Sequence, residues 1–197
     1  MYAQPSLSAE LAELAARHIV EEGLSYAQAK RKAAKQAGIA EHNAAMPANS
    51  LVEQAVRDYL AEHAADTQPA VLADLRRLAL NWMHRLEGLQ GEGVTAHCLA
   101  HGAVVNATAT DWSGVHIHVF TEDSKYLELA LLNRGFTLDA SEQVLGGQAR
   151  CVLVVHEGEI PVVLTLMPAS DYRVPKLRAG ETVWQSADIA GLQALLD

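Results

Sequence analysis

Apolar residues return every three or four positions through the first ninety residues, and that spacing predicts a succession of amphipathic helices. Leu7, Leu11, Leu14 and His18 form the first stripe, with Ser8 placed to cap its start and Gly23 to end it. Ser25 and Gln28 have the spacing of a capping box ahead of AQAKRKAAKQA, and Gly38 suits a left-handed exit. EHNAAMPAN then reads as a loop. Ser50 and Glu53 repeat the box spacing before a third helix that carries Leu51, Ala55, Val56, Tyr59 and Leu60 on one face. ADTQP breaks it. The fourth helix has the widest stripe, from Leu72 and Leu75 through Trp82 and Met83 to Leu86 and Leu89, and ends in GLQGEG.

After Gly93 the pattern shortens. GAVVNATAT (102–110) and VHIHVF (115–120) are runs rich in Val, Ile and Thr, which predict strands on either side of a DWSG turn. DSKYLELALLNRG returns to helix, with Asp123 as its cap and Gly135 as its stop. RCVLVVH and IPVVLTLM flank EGE and predict an antiparallel hairpin with Gly158 at its tip, and SADIAGLQALLD predicts a closing helix started by Ser186. The expectation is an α+β chain: a helical region over 1–93 and a small mixed-sheet domain over 94–197.

Composition narrows the function classes. A formal charge of -9 argues against broad contact with nucleic acid or an anionic membrane surface. The first residues lack the basic flank and apolar run of a signal peptide, and no stretch approaches the ~20 apolar residues of a membrane span, so the expected location is the cytoplasm. Cys98 and Cys151, 53 residues apart, form neither a disulfide framework nor a zinc spacing. The basic run Lys30, Arg31, Lys32 and Lys35 reads as a solvated helix face beside Glu21 and Glu22, and the segment after it offers no recognition helix for DNA. VLGGQAR lacks the spacing of a phosphate-binding loop, and there is no GxSxG element.

The order of strand, small-residue turn, second strand, helix and hairpin over about residues 100–168, with ATATDWSGVHIHVFTEDSKYLELALLNRG carrying most of it, resembles the nucleotidyltransferase fold of the DNA-polymerase-beta type. EEGLSYAQAKRKAAKQAGI looks like the leader of bacterial nucleotidyltransferase-like proteins. The resemblance implies a Gly-Ser or Gly-Gly pair after the first strand, an acidic-hydrophobic-acidic triplet on the next, and a third carboxylate on a later strand. Residues two apart on a strand face the same way, so such carboxylates can hold magnesium ions on nucleotide phosphates. Here Ala107 and Thr108 stand where the pair belongs, Gly114 and His116 follow Ser113 where the carboxylates belong, and IPVVLTLM has no carboxylate. The implied protein is a pseudoenzyme, a binding or regulatory module without a cofactor.

Histidines open an alternative. His116 and His118 share a strand face, His97 and His101 are one turn apart if TAHCLAH is helical, and Cys98 and His156 add potential donors that a zinc-like metal would accept. That set would serve a divergent metal-dependent transferase. Nine histidines in 197 residues also bring some together by chance, so the expected metal content is none, with His116 and His118 the candidate ligands if one binds. A retained ligand would be a nucleotide or phosphate beside Thr108, Thr110, Ser113, His116 and His118, where hydroxyls and imidazoles can hydrogen-bond it. The partner most compatible with the fourth helix's apolar stripe is a second copy of the chain.

Overall fold

A computed structural model describes residues 6–40, 45–176 and 183–196, apart from the side chains at 91, 92 and 157. Its class is α+β, with helices first and a mixed sheet after them. The residues divide into two compact units, one holding the first three helices with Thr108–Trp112, the other holding Leu72–Ala107 and the chain from Ser113 onward. The sequence texture changes at Gly93, but the units divide at 71–72, so most of the fourth helix goes with the sheet.

In the first unit, α1 (Leu7–Glu22) is capped by Ser6, whose hydroxyl accepts from the Ala9 amide; Ser8 lies inside the helix. Gly23 closes it at φ 67°. α2 (Tyr26–Gln36) forms both halves of the Ser25–Gln28 capping box. α3 (Asn49–His63) begins one residue before Ser50, with Ala48 at the cap and no side-chain bond there, so the expected Ser50–Glu53 box does not form. Leu11, Ala15 and Ile19 of α1, Ala29 and Ala33 of α2, and Val52, Val56 and Leu60 of α3 make one buried cluster. Alanines at these contacts let the helices approach closely, since interaxial distance follows the side chains between them.

In the second unit, α4 (Gln68–Glu87) buries Leu75, Ala79, Trp82, Met83 and Leu86. Trp82 meets Phe136 at 5.0 Å between ring centroids. The stripe expected to receive another copy is therefore spent inside this unit. β1 (Ala96–His101), α5 (Ala103–Asn106), β2 (Val115–Thr121), α6 (Ser124–Asn133), β3 (Leu138–Leu145), β4 (Gln148–Glu157), β5 (Ile160–Pro168), β6 (Ser186–Ala187) and α7 (Ile189–Ala194) follow. The strands lie in the order β3-β4-β5-β2-β1-β6, and β2 runs parallel to β5. Arg76 of α4 donates to the carbonyls of Val104 at 2.9 Å and Leu195 at 2.6 Å, tying α5 and the end of α7 to it.

Three expectations are corrected. AHCLAH is strand, not helix, and GAVVNATAT is not strand: Gly102 turns the chain at φ 70° into α5. α7 is capped by Asp188, whose carboxylate accepts from Gly191, while Ser186 belongs to β6. The Gly158 hairpin and the Asp123 cap are present as expected. Among the described residues no helix is long and apolar enough to cross a membrane.

Gly23 and Gly38 separate two costs of a side chain. Both have positive φ, but a Cβ at Gly23 would come within 2.8 Å of the Trp112 ring, whereas one at Gly38 meets nothing within 4 Å. Gly38→Ala should lose about 1 kcal/mol from backbone strain and Gly23→Ala distinctly more. Urea midpoints of the two variants check this; equal losses would show that the Trp112 contact does not matter.

Candidate functional site

β2 sorts its side chains by parity. Val115, Ile117 and Val119 are buried on one face, level with Cys98 and Ala100 of β1 and with Val162, Leu164 and Leu166 of β5. His116, His118 and Phe120 must then take the other face. The β1–β2 ladder sets His101 opposite His116 and Leu99 opposite His118. As a result the His101 ring lies 3.9 Å from that of His118 and 5.7 Å from that of His116. His97 is on the same face but stacks on Tyr172 at 4.7 Å. Tyr172 also meets the edge of Phe120, and this aromatic contact closes one end of the row.

The electrostatics favour neutral rings. Burial, then the neighbouring His118 and His116, push His101 down to about 3. Burial and then His116 lower His118, and burial lowers His116. His116 keeps an exposed surface, so water moderates its shift and a pH argument belongs to His101. His101 Nε2 is buried without a hydrogen-bond partner among the described residues. Beside the row, a hollow of about 320 Å³ is lined by Leu99, Phe120, Asp171, Arg173, Lys176 and Ser186 among others.

The candidate residues do not form one group. Thr108 and Thr110 belong to the first unit and are buried. There the Tyr26 hydroxyl donates to Thr108 Oγ1 at 3.4 Å, and Thr110 Oγ1 accepts from the Trp112 amide at 3.3 Å. Trp112 itself is 64% exposed yet leans on Gly23. Ala107, Ser113, Gly114, His116 and His118 belong to the second unit. Ala107 ends α5 at φ 62°, a left-handed conformation that costs an L-residue about 1–2 kcal/mol. β1 ends at His101 and Gly102–Ala103 follow it directly, while Ala107 lies at the end of α5. Gly114 is pressed against β5: a Cβ there would sit 2.7 Å from the Pro161 carbonyl oxygen.

His101 is the residue that the sequence did not single out as a partner of His116 and His118. The sequence offered it only within a wider donor set, on the condition that TAHCLAH is helical; the alternation of AHCLAH as strand, where His97, Leu99 and His101 share parity, is what places it. The wider donor set fails for the same reason. Cys98 has the opposite parity, lies in the core, and its thiol is pushed far up, chiefly by burial. His156 sits on β4 beside Asp139 at 3.6 Å. No group of three or more His, Cys, Asp or Glu among the described residues is arranged to hold a metal ion.

Comparison with protein-family models, curated proteins and solved structures gives no match. The chemistry of this face is therefore carried by its own geometry.

The depressed His101 pKa has a definite sign. The unfolded imidazole takes up its proton near the ordinary 6.5, the native one only near 3, so the native chain binds fewer protons in between. Stability should fall as pH drops from about 6.5 toward 3, and His101→Gln should flatten that limb. Urea midpoints at pH 7, 5 and 4 measure it; parallel losses in both proteins would rule out His101 as the cause.

Proposed function

We propose that the chain is a catalytically degenerate nucleotidyltransferase-like protein, a binding or regulatory module that holds a nucleotide or other phosphate-bearing ligand without transferring a nucleotidyl group. The observation that carries this reading is the state of positions 114, just before β2, and 116, within it. His116 offers a neutral imidazole where a magnesium-binding carboxylate would be needed, and Gly114 is packed so tightly on Pro161 that an aspartate there would collide with backbone. β5 adds Val163, Thr165 and Met167 to the same face, so it supplies no third carboxylate. Among the described residues these positions offer two-metal catalysis no carboxylate.

Support for a retained ligand comes from the hollow beside the row. Arg173 and Lys176 bring two positive charges against the one negative charge of Asp171, Ser186 a hydroxyl, and Leu99 and Phe120 an apolar wall, a combination suited to a small molecule with an anionic end and a flat apolar part. Calorimetric titration with ATP and magnesium should give heat below millimolar concentration, weakened several-fold by Arg173→Ala, with no release of pyrophosphate. Absence of heat at millimolar nucleotide would remove the ligand, and pyrophosphate release would restore an active transferase. Gly114→Asp should lower stability, read by thermal melting, without creating activity.

A further inference from the structure

The sheet has one long open edge. β3 pairs with β4 along Leu138–Leu145 and has no strand on its other side among the described residues. Half of its backbone donors and acceptors are left to solvent, a template that folded proteins usually blunt with proline, a bulge or a short strand. Proline, a bulge and a short strand are all absent, and only Asp139 and Glu142 bring the charge that also protects edges: the ladder runs one-to-one from Leu138 opposite Val155 to Leu145 opposite Gln148, and the strand is eight residues long.

Exposed apolar residues gather at the same place. Of the nine large hydrophobics exposed among the described residues, Val144 and Leu145 are on β3, and Tyr126, Leu129 and Leu132 are on α6, the helix that leads into it. The α6 residues are spaced by three and share one helix face. Ser124 at the start of α6 and Cys151 of β4, which pairs with Glu142, line one hollow, which places the start of α6 beside the face of the sheet that carries Leu138, Ala140 and Val144.

The sequence of β3 favours one occupant. In an antiparallel pair related by a two-fold axis, facing residues lie on the same side of the sheet, so the axis must pass through a residue. Centred on Glu142, the pairing opposes two carboxylates. Centred on Gln143 it sets Glu142 against Val144, and centred on Ala140 it sets Leu138 against Glu142. Centred on Ser141 it places Leu138 of each copy against Val144 of the other, Asp139 against Gln143, and Ala140 against Glu142, with no like charges opposed.

We propose that β3 is the contact surface for a second copy of this chain, joined antiparallel about Ser141 so that the two sheets become continuous. Facing residues in such a pair have Cα atoms about 4.5–5.5 Å apart, within disulfide reach. Ser141→Cys should therefore give a disulfide-linked dimer on oxidation. Gln143→Cys, whose two copies would lie about four residues apart along the strands, should not. The wild type should sediment as a dimer at about 100 μM, and Val144→Lys, at a site 74% exposed in the single chain, should sediment as a folded monomer with unchanged circular dichroism. A monomeric wild type, a dimer that survives Val144→Lys, or cross-linking of Gln143→Cys as readily as Ser141→Cys would each overturn the proposal.

Discussion

The register of β2 is the constraint on which the sheet unit depends. β2 is hydrogen-bonded on both sides, antiparallel to β1 and parallel to β5, and its odd residues Val115, Ile117 and Val119 are completely buried. A slip by one residue would exchange that apolar row for His116 and His118, so burial fixes the pairing. Once fixed, the pairing places His101 against His116 and Val163 and Thr165 on the same face from β5. The histidine row is thus a consequence of core packing on the opposite side of the sheet. A charged imidazolium in that row would face desolvation and two neighbouring rings that could carry like charge, and the neutral form is what this environment admits.

What could be read from the sequence follows from how local each signal is. The Ser25–Gln28 box, the Gly23 exit and the Asp123 cap depend on residues within one turn, and they appear as expected. The Ser50–Glu53 spacing is equally local, but α3 starts at Asn49, where Ala48 has the extended conformation of a cap without the side chain to complete it. β3 is hard to read because the alternation of Leu138, Ala140 and Val144 is short and is broken by Glu142 on the same face. An edge strand exposed on both faces has no buried side to impose a period of two, so only its pairing with β4 defines it. GAVVNATAT misled for the opposite reason. Its β-branched residues suit a strand, but Gly102 turns the chain and Val104 and Val105 are buried from a one-turn helix whose Val104 carbonyl is held by Arg76.

The candidate residues show the same limit. His116 and His118 were legible as a pair because two-residue spacing on a strand is enough to put them on one face. His101 was legible only as one of a wider donor set, since its place beside them depends on which residue β1 sets opposite them, a matter of long-range register. Thr108 and Thr110 lie close to the pair in sequence, yet their hydroxyls are used within the helical unit by Tyr26 and the Trp112 amide. Proximity along the chain said nothing about which compact unit would claim them.

The close approach of β5 limits which residues the start of β2 can carry. Carboxylates two apart on a strand repel unless a cation lies between them, and on a chain with a formal charge of -9 that repulsion has little positive charge elsewhere to offset it. Glycine at 114 and an imidazole held neutral by burial at 116 carry no such repulsion. The absence of a side chain at 114 also lets the Pro161 carbonyl approach to a distance that no Cβ would permit, so β5 can close on the start of β2. That closure constrains position 114: with Pro161 in the space, an acid there has to displace backbone as well as replace a hydrogen atom. Accommodating it would require β5 to move, which would disturb Val162 and Leu164 in the core of the same unit.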